Sequence, residues 1–326
     1  MLNRFIMITT DMQPINDITK KIIKEMMNYA STIKFQVNSK NEINSILDIV
    51  RYESFATFHI GELSYYYHPL RRMVELKVEY VYKQSEYHAL IDKILKKLKE
   101  IRDKLAYLPS EIEKEKYIHD YLCKNVVYKE NGPDSHCILG PLFQGEGVCE
   151  GIAKTAHALL KIAKLDAHIV CGDATDENGT SPHAWNVVKI DGAWHLLDVT
   201  YDNTLSDPDF IRYDYFNVSA QELSQSHVPY SYCKDYFDRC VTSHSYFRMK
   251  SSEFSTQQGV YDYIKKEVSK KAPYVYFKYT NKNMPFDVMT IVNYTLEFSK
   301  VSNVNYSYDS KMGIYYLKIK YSLFSF

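Results

Sequence analysis

The chain has 326 residues, 45% of them hydrophobic, which is enough for two or three domains with substantial cores. Lysine plus arginine and aspartate plus glutamate balance at 40 each, so no net field draws the chain to nucleic acid or to an anionic membrane surface. No run approaches the roughly 18 apolar residues of a membrane helix, and the stretch from Met1 to Asp11 lacks the apolar core of a signal peptide. The six cysteines, at 123, 137, 149, 171, 233 and 240, form no Cys-x-x-Cys pair. A cytoplasmic protein with reduced thiols, no metal and no disulfide framework is expected.

Along the chain, Ile15, Ile18, Ile22, Met26 and Ala30 recur at helical spacing, and Val74, Leu76, Val78, Tyr80 and Tyr82 alternate with charged residues as a half-buried strand. A helix from about Ser85 carries Leu90, Ile94, Leu98, Ile101 and Leu105 and stops before Pro109, so residues 1–108 form an N-terminal α/β region. Ser110, with Glu113 three residues on, reads as a capping box that opens the next helix and a core at 109–251. Gly145 to Gly151 reads Gly-Glu-Gly-Val-Cys-Glu-Gly, a flexible turn, after which Ile152, Ala156, Leu159, Leu160 and Ala163 mark one buried helical face. Cys149 then lies in the first turn of that helix. Asn186 to Ile190 and Ala193 to Leu197 are strand-like runs joined by Asp191-Gly192, a pair preferred in two-residue hairpin turns. Residues 252–326 read as a small α+β domain: a helix with Val260, Tyr263, Ile264 and Val268, a strand at Tyr274 to Tyr279, a helix at Pro285 to Phe298, and strands near Val304 and at Ile314 to Tyr321.

The chemistry concentrates in 50 residues. A thiol is a useful nucleophile only as thiolate, so a catalytic cysteine needs surroundings that favour the anion and a base to manage its proton. The unpaired N–H groups and positive dipole end of a helix start favour a sulfur anion at Cys149, and the Cys149 N–H can face a developing oxyanion. In the hairpin, Ile190 pairs with Ala193, which puts Trp185 opposite Asp198 and His183 opposite Thr200. Side chains alternate faces, so His183, Trp185 and Asp198 share one face, with Asp198 diagonal to His183 at roughly 7–8 Å between backbones. An imidazole and a carboxylate can meet across that gap. Taken singly, a cysteine at a helix start is most often a small buried hydrophobe and a strand histidine a satisfied polar residue. Together, in this order and geometry, Cys149, His183 and Asp198 point to nucleophilic catalysis. Gln144, five residues before Cys149, is a weaker candidate for an oxyanion donor, a solvated loop residue being the commoner case. Trp185 is expected to wall the cleft and Trp194 to lie in the core, while Cys137 is expected to be buried beside Gly140.

Gly-Val-Cys-Glu-Gly-Ile-Ala-Lys, His-Ala-Trp-Asn-Val-Val-Lys-Ile-Asp-Gly-Ala-Trp and Leu-Asp-Val-Thr-Tyr-Asp resemble the three signature blocks of the bacterial transglutaminase-like superfamily. The resemblance is strongest from about Ile112 to Asp202 and continues more weakly through Tyr215-Phe216-Asn217-Val218-Ser219. It implies an α+β, papain-like core in which a helix bearing the cysteine packs on an antiparallel sheet. It also implies a triad with Cys149 as nucleophile, His183 as base and acid, and Asp198 orienting the imidazole. Ile138-Leu139 stand before Gly140 where the family commonly has a small residue and a tyrosine, and Tyr201 stands where a tryptophan is usual. The expected activity is acyl transfer from an amide or peptide bond of a protein or peptide substrate through a thioester, without a cofactor. Hydrolysis is favoured over amine transfer because water is always present. A silent peptide-binding module of the same fold is the alternative.

Overall fold

The structure is a computed structural model and describes residues 17–322. Contacts divide the chain into two compact units, 1–243 and 244–326. The first opens with α1 (Asp17–Met27), β1 (Thr32–Gln36), α2 (Glu42–Tyr52), β2 (Ile60–His68) and β3 (Met73–Tyr80). Alternation in β3 buries Val74, Leu76 and Val78 on one face, and β1 and β2 flank it in an antiparallel sheet of order β1-β3-β2. Ile22 and Met26 are buried on α1 as expected, whereas Ala30 lies past its end and Ile15 outside the described residues. The long α3 (Gln84–Leu105) follows, then α4 (Glu111–Asn125). The Ser110 hydroxyl accepts the Glu113 N–H and caps α4, which satisfies one orphan donor of its first turn.

The elements that build the site come next: β4 (Val127–Tyr128), β5 (Glu146–Gly147), α5 (Cys149–Ile162), β6 (Asp166–Asp176), β7 (Gly179–Ile190), β8 (Ala193–Leu197), α6 (Val199–Leu205), α7 (Ala220–Leu223), β9 (His227–Pro229) and α8 (Lys234–Asp238). β6 to β9 form a wholly antiparallel sheet of order β8-β7-β6-β9. The β7–β8 register pairs Ile190 with Ala193 and Asn186 with Leu197, as the Asp191-Gly192 loop demands. Both loop residues have positive φ, 49° and 87°, the requirement of a type I′ turn whose twist matches the strands. One expectation fails. β8 stops at Leu197 and Thr200 lies in α6, so His183 does not face it across a ladder; Asp198 instead caps α6 by accepting the Tyr201 N–H at 3.1 Å. An aspartate with a free backbone turn beyond it competes for the helix start more strongly than for the strand end.

α5 lies on this sheet, and two buried hydrogen bonds fix it there: Asn186 Nδ2 of β7 donates to Ala153 O at 3.1 Å, and His157 Nε2 meets Ala167 O of β6 at 3.1 Å. On the other side of α6 a buried polar network ties it to α4. His119 Nε2 meets Asp202 Oδ2 at 3.0 Å, the other Asp202 oxygen accepts the Tyr215 N–H at 3.0 Å, and Glu115 Oε2 accepts from Asn217 Nδ2 at 2.7 Å. Hydrogen bonds of this kind are the condition on which buried polar groups are tolerated.

In the second unit, α9 (Tyr246–Met249), β10 (Glu253–Phe254), α10 (Gln257–Ser269), β11 (Tyr274–Tyr279), α11 (Val288–Leu296), β12 (Val301–Asp309) and β13 (Ile314–Tyr321) give a sheet of order β10-β11-β13-β12. Val260, Ile264, Val275, Phe277, Ile291 and Leu317 lie at its core. The sequence pattern places these elements well, except that α11 starts three residues after Pro285, at an Asp287 cap.

Burial pushes the Glu115 carboxyl from 4.5 up to about 8 and that of Asp202 up to about 7. A carboxyl that keeps its proton only when folded adds stability that is complete below its unfolded pKa and is lost as pH rises to the folded one. Wild-type stability should therefore fall between about pH 4.5 and 8. Glu115→Gln, which keeps the hydrogen bond to Asn217, should flatten part of that fall, leaving Tm at pH 8 a few degrees above wild type, the scale of about 1–2 kcal/mol in a unit of this size. Thermal melts across that range check it; parallel curves for the two proteins would refute the assignment.

Candidate active site

Cys149 occupies the first position of α5, half-buried, with Val148 as an N-cap that offers no side-chain cap. The amides of this turn are thus available to other partners, and the Tyr128 hydroxyl of β4 hydrogen-bonds the Cys149 backbone. The glycine after it is there for room, not for the flexibility that the sequence pattern suggests. A Cβ on Gly151 would lie 2.1 Å from Ser135 O, so the first turn of α5 rests directly on the backbone of the preceding loop. Such a fixed helix start aims the sulfur rather than letting it wander.

β7 brings His183 to that sulfur. Its Nε2–H donates to Asp198 Oδ2 at 2.7 Å, and the Cys149 sulfur is near enough to favour the charged ring. The two ring nitrogens therefore face different partners, which fixes the orientation of the imidazole. Burial works against a charged ring here, but the Asp198 carboxylate and the Cys149 sulfur outweigh it and raise His183 to about 10. Burial would likewise raise Asp198, yet the hydrogen-bonded His183 and His227 hold its carboxyl well below the usual range.

His227 of β9 escaped the sequence reasoning. Its Nε2–H donates to the same Asp198 oxygen at 3.0 Å, and Ser226 Oγ faces its Nδ1 at 2.8 Å. Burial lowers this second imidazole, so it serves as a neutral donor. It reaches Asp198 because β9 pairs with β6 at Gly172, where a Cβ would lie 2.2 Å from Val228 O and 2.8 Å from Trp185. Tyr201 completes the setting, its ring 5.1 Å from that of His183 and 4.9 Å from that of His227. His183, Asp198 and His227 offer ligand atoms within 4.8 Å of one another, a set that could hold a divalent cation. Both nitrogens facing Asp198 carry protons in the hydrogen-bonded state, and a metal would have to displace them.

The remaining expected residues fall elsewhere. Trp185, expected to wall the cleft, is 1% exposed and stacks beneath His183 at 5.9 Å, with its indole N–H buried and unpartnered. Trp194, expected in the core, is half-buried and packs against Arg239 and His168. Trp185 is buried because it shares the inner face with His183 in the alternating β7 pattern, under β9, while Trp194 is only half-buried because it sits on the edge strand β8. Gln144 is exposed, and its amide donates to Asp134 Oδ2 at 2.6 Å rather than standing ready for an oxyanion. Cys137 is buried as expected, its thiol donating to Asp134 O at 3.5 Å.

Residues 99–199 match the family model of the Transglutaminase-like superfamily, so the chain carries a domain of that superfamily over that span. Among solved structures it is similar to one described as "a TGase", with 16% identity over 52% of this chain and 50% of the other at a TM-score of 0.29. It is also similar to "a Putative Cysteine Protease from Cytophaga hutchinsonii", with 19% identity over 43% of this chain and 61% of the other at a TM-score of 0.28. The chain thus spans about half to three fifths of the structures it matches. No curated protein matches it.

Iodoacetamide at pH 6, where an ordinary thiol of pKa about 8.5 is largely protonated, should label Cys149 ahead of the other five cysteines, four of which are buried. His183→Ala should slow that labelling by about tenfold or more, because the charged partner of the sulfur is lost. Peptide mass mapping decides it, and Cys149 among the slowest to label would sink its role as nucleophile.

Proposed function

We propose that this chain is a cysteine hydrolase of the transglutaminase-like type, cleaving an amide or peptide bond in a protein or peptide substrate through a thioester on Cys149. The observation that carries the proposal is the buried Asp198–His183 hydrogen bond at 2.7 Å, with the ring beside Cys149 at the start of α5. Its support is both geometric and electrostatic. A protonated imidazole is the counter-ion that a thiolate needs, and a buried ionised carboxylate is what keeps that imidazole protonated. A helix that carries the cysteine and lies on an antiparallel sheet is consistent with this reading.

In the proposed reaction the Cys149 sulfur attacks the carbonyl carbon, and the oxygen takes up negative charge near the Cys149 N–H, which Tyr128 must then release or share. His183 gives its proton to the leaving amine as the C–N bond breaks, which leaves a thioester and a neutral ring. That ring takes a proton from water as the water attacks the thioester carbon; the acid departs and the thiolate returns beside the protonated ring. Asp198 holds Nε2 throughout, so that the other ring nitrogen faces the chemistry.

His183 acts as the acid only while protonated, so kcat/KM should fall as pH rises through about 10, the value set by Asp198 and Cys149. Asp198→Asn should lower kcat by about 10²–10⁴-fold and move that limb to lower pH, because the carboxylate that retains the ring proton is gone. A library of peptides and glutamine-containing proteins should give a transient mass adduct on Cys149 that clears without added amine. Clearance that needs a primary amine would mean a transferase. Ligands bound equally by wild type and Cys149→Ala, with no adduct and no turnover, would replace the enzyme with a binding module.

A further inference from the structure

A second thiol site lies apart from Cys149. A cavity of about 280 Å³ is lined by Asp48 and Tyr52 of α2, Cys171 of β6, and Tyr232, Cys233 and Arg239 beyond β9. Tyr232 is 40% exposed, so the cavity reaches solvent, whereas Cys171 and Cys233 are both free and buried in its wall. The Cys171 N–H donates to Cys233 Sγ at 3.4 Å, and both sulfurs and the Tyr232 ring line the same cavity.

We propose that Cys171 and Cys233 form a reversible two-thiol oxidation site that takes a small hydroperoxide in this cavity. The roles of the two sulfurs differ. The Cys171 N–H points at the Cys233 sulfur, where it favours an anion, and the neighbouring Cys171 thiol foremost holds Cys233 below the ordinary thiol range; the same neighbour and burial push Cys171 up. Cys233 is therefore the attacking sulfur and Cys171 the resolving one. The Cys233 thiolate attacks the outer peroxide oxygen and the O–O bond breaks. The departing oxygen takes up the proton that Cys233 released on ionising and leaves as an alcohol or water, with Cys233 now a sulfenic acid. Cys171 sulfur then displaces the hydroxyl, which leaves as water with the Cys171 proton. Two thiols and one hydroperoxide give a disulfide, an alcohol and water, the thiols supplying both electrons. The Cys233 sulfur already lies 3.4 Å from the Cys171 backbone nitrogen, so the two residues are immediate neighbours and closure asks for side-chain movement rather than rearrangement of the strands. The bridge would join positions 62 residues apart in sequence, clamping β6 to the segment that follows the strand of His227.

The test exposes the full-length chain, as wild type and as Cys149→Ala, to rising hydrogen peroxide, blocks the remaining thiols with N-ethylmaleimide and maps peptides without reduction. A peptide joining Cys171 to Cys233 should be the dominant linked pair in both proteins and should vanish with dithiothreitol. In Cys171→Ser, dimedone should capture a sulfenic acid on Cys233; in Cys233→Ser, Cys171 should stay unlabelled. Both thiols remaining reduced at peroxide levels that oxidise Cys123 or Cys240 would overturn the proposal, and so would dimedone on Cys171 in place of Cys233. The wild-type map decides the pairing even if a serine variant fails to fold.

Discussion

The site hangs on one carboxylate. Asp198 is 1% exposed, and its two oxygens take three N–H donors: His183 and His227 on Oδ2 and the Tyr201 backbone on Oδ1. Those donors come from β7, β9 and α6, so a single side chain joins the strand of His183, an edge strand and the helix that leaves the sheet. A carboxylate buried alone would be costly; hydrogen bonds from three sides and a neighbouring positive ring are what make its charge tolerable. The converse is that Asp198 cannot be removed quietly, since a buried imidazolium would lose its counter-charge, an effect of about 3–5 kcal/mol for buried pairs.

The packing around Asp198 keeps that arrangement rigid. Gly172 brings β9 and the Trp185 ring into direct contact with β6, so His227 has no slack along its strand. Trp185 supports the His183 ring from below and Tyr201 closes it from the side. α6, which Asp198 caps, is held from the far side by His119 on Asp202. An imidazole confined on these faces has its rotamer chosen before any substrate arrives, which is how a second layer of residues supports the first.

Much of this was legible because it is local. Asp191-Gly192 set the hairpin register, Ser110 and Glu113 set a helix start, and the apolar spacing after Cys149 set α5; each rests on residues a few positions apart. His227 was not legible. It lies 29 residues from Asp198 on a three-residue strand whose partner is chosen by the fit at Gly172, and nothing in Ser-His-Val-Pro marks that fit. The burial of Trp185 and the partial exposure of Trp194 have the same origin, since which side of a sheet is covered depends on where a distant edge strand lands. Asp198 as a cap rather than a strand residue was a local competition read the wrong way: the helix claims its side chain while leaving it on the face that the hairpin had chosen.

One negative charge faces two imidazoles, and the structure decides which of them keeps the extra proton. Their ring centroids are 5.5 Å apart, where two positive charges would repel by about 3 kcal/mol at an effective dielectric of about 20, or roughly two pKa units. Both cannot be charged. His227 is buried with its Nδ1 beside the Ser226 hydroxyl, and burial there lowers it. His183 has the Cys149 sulfur at its free side, a partner that rewards a proton there. Asp198 favours the proton on both rings, but burial outweighs it at His227 and does not at His183, so the extra proton settles on the imidazole beside the sulfur.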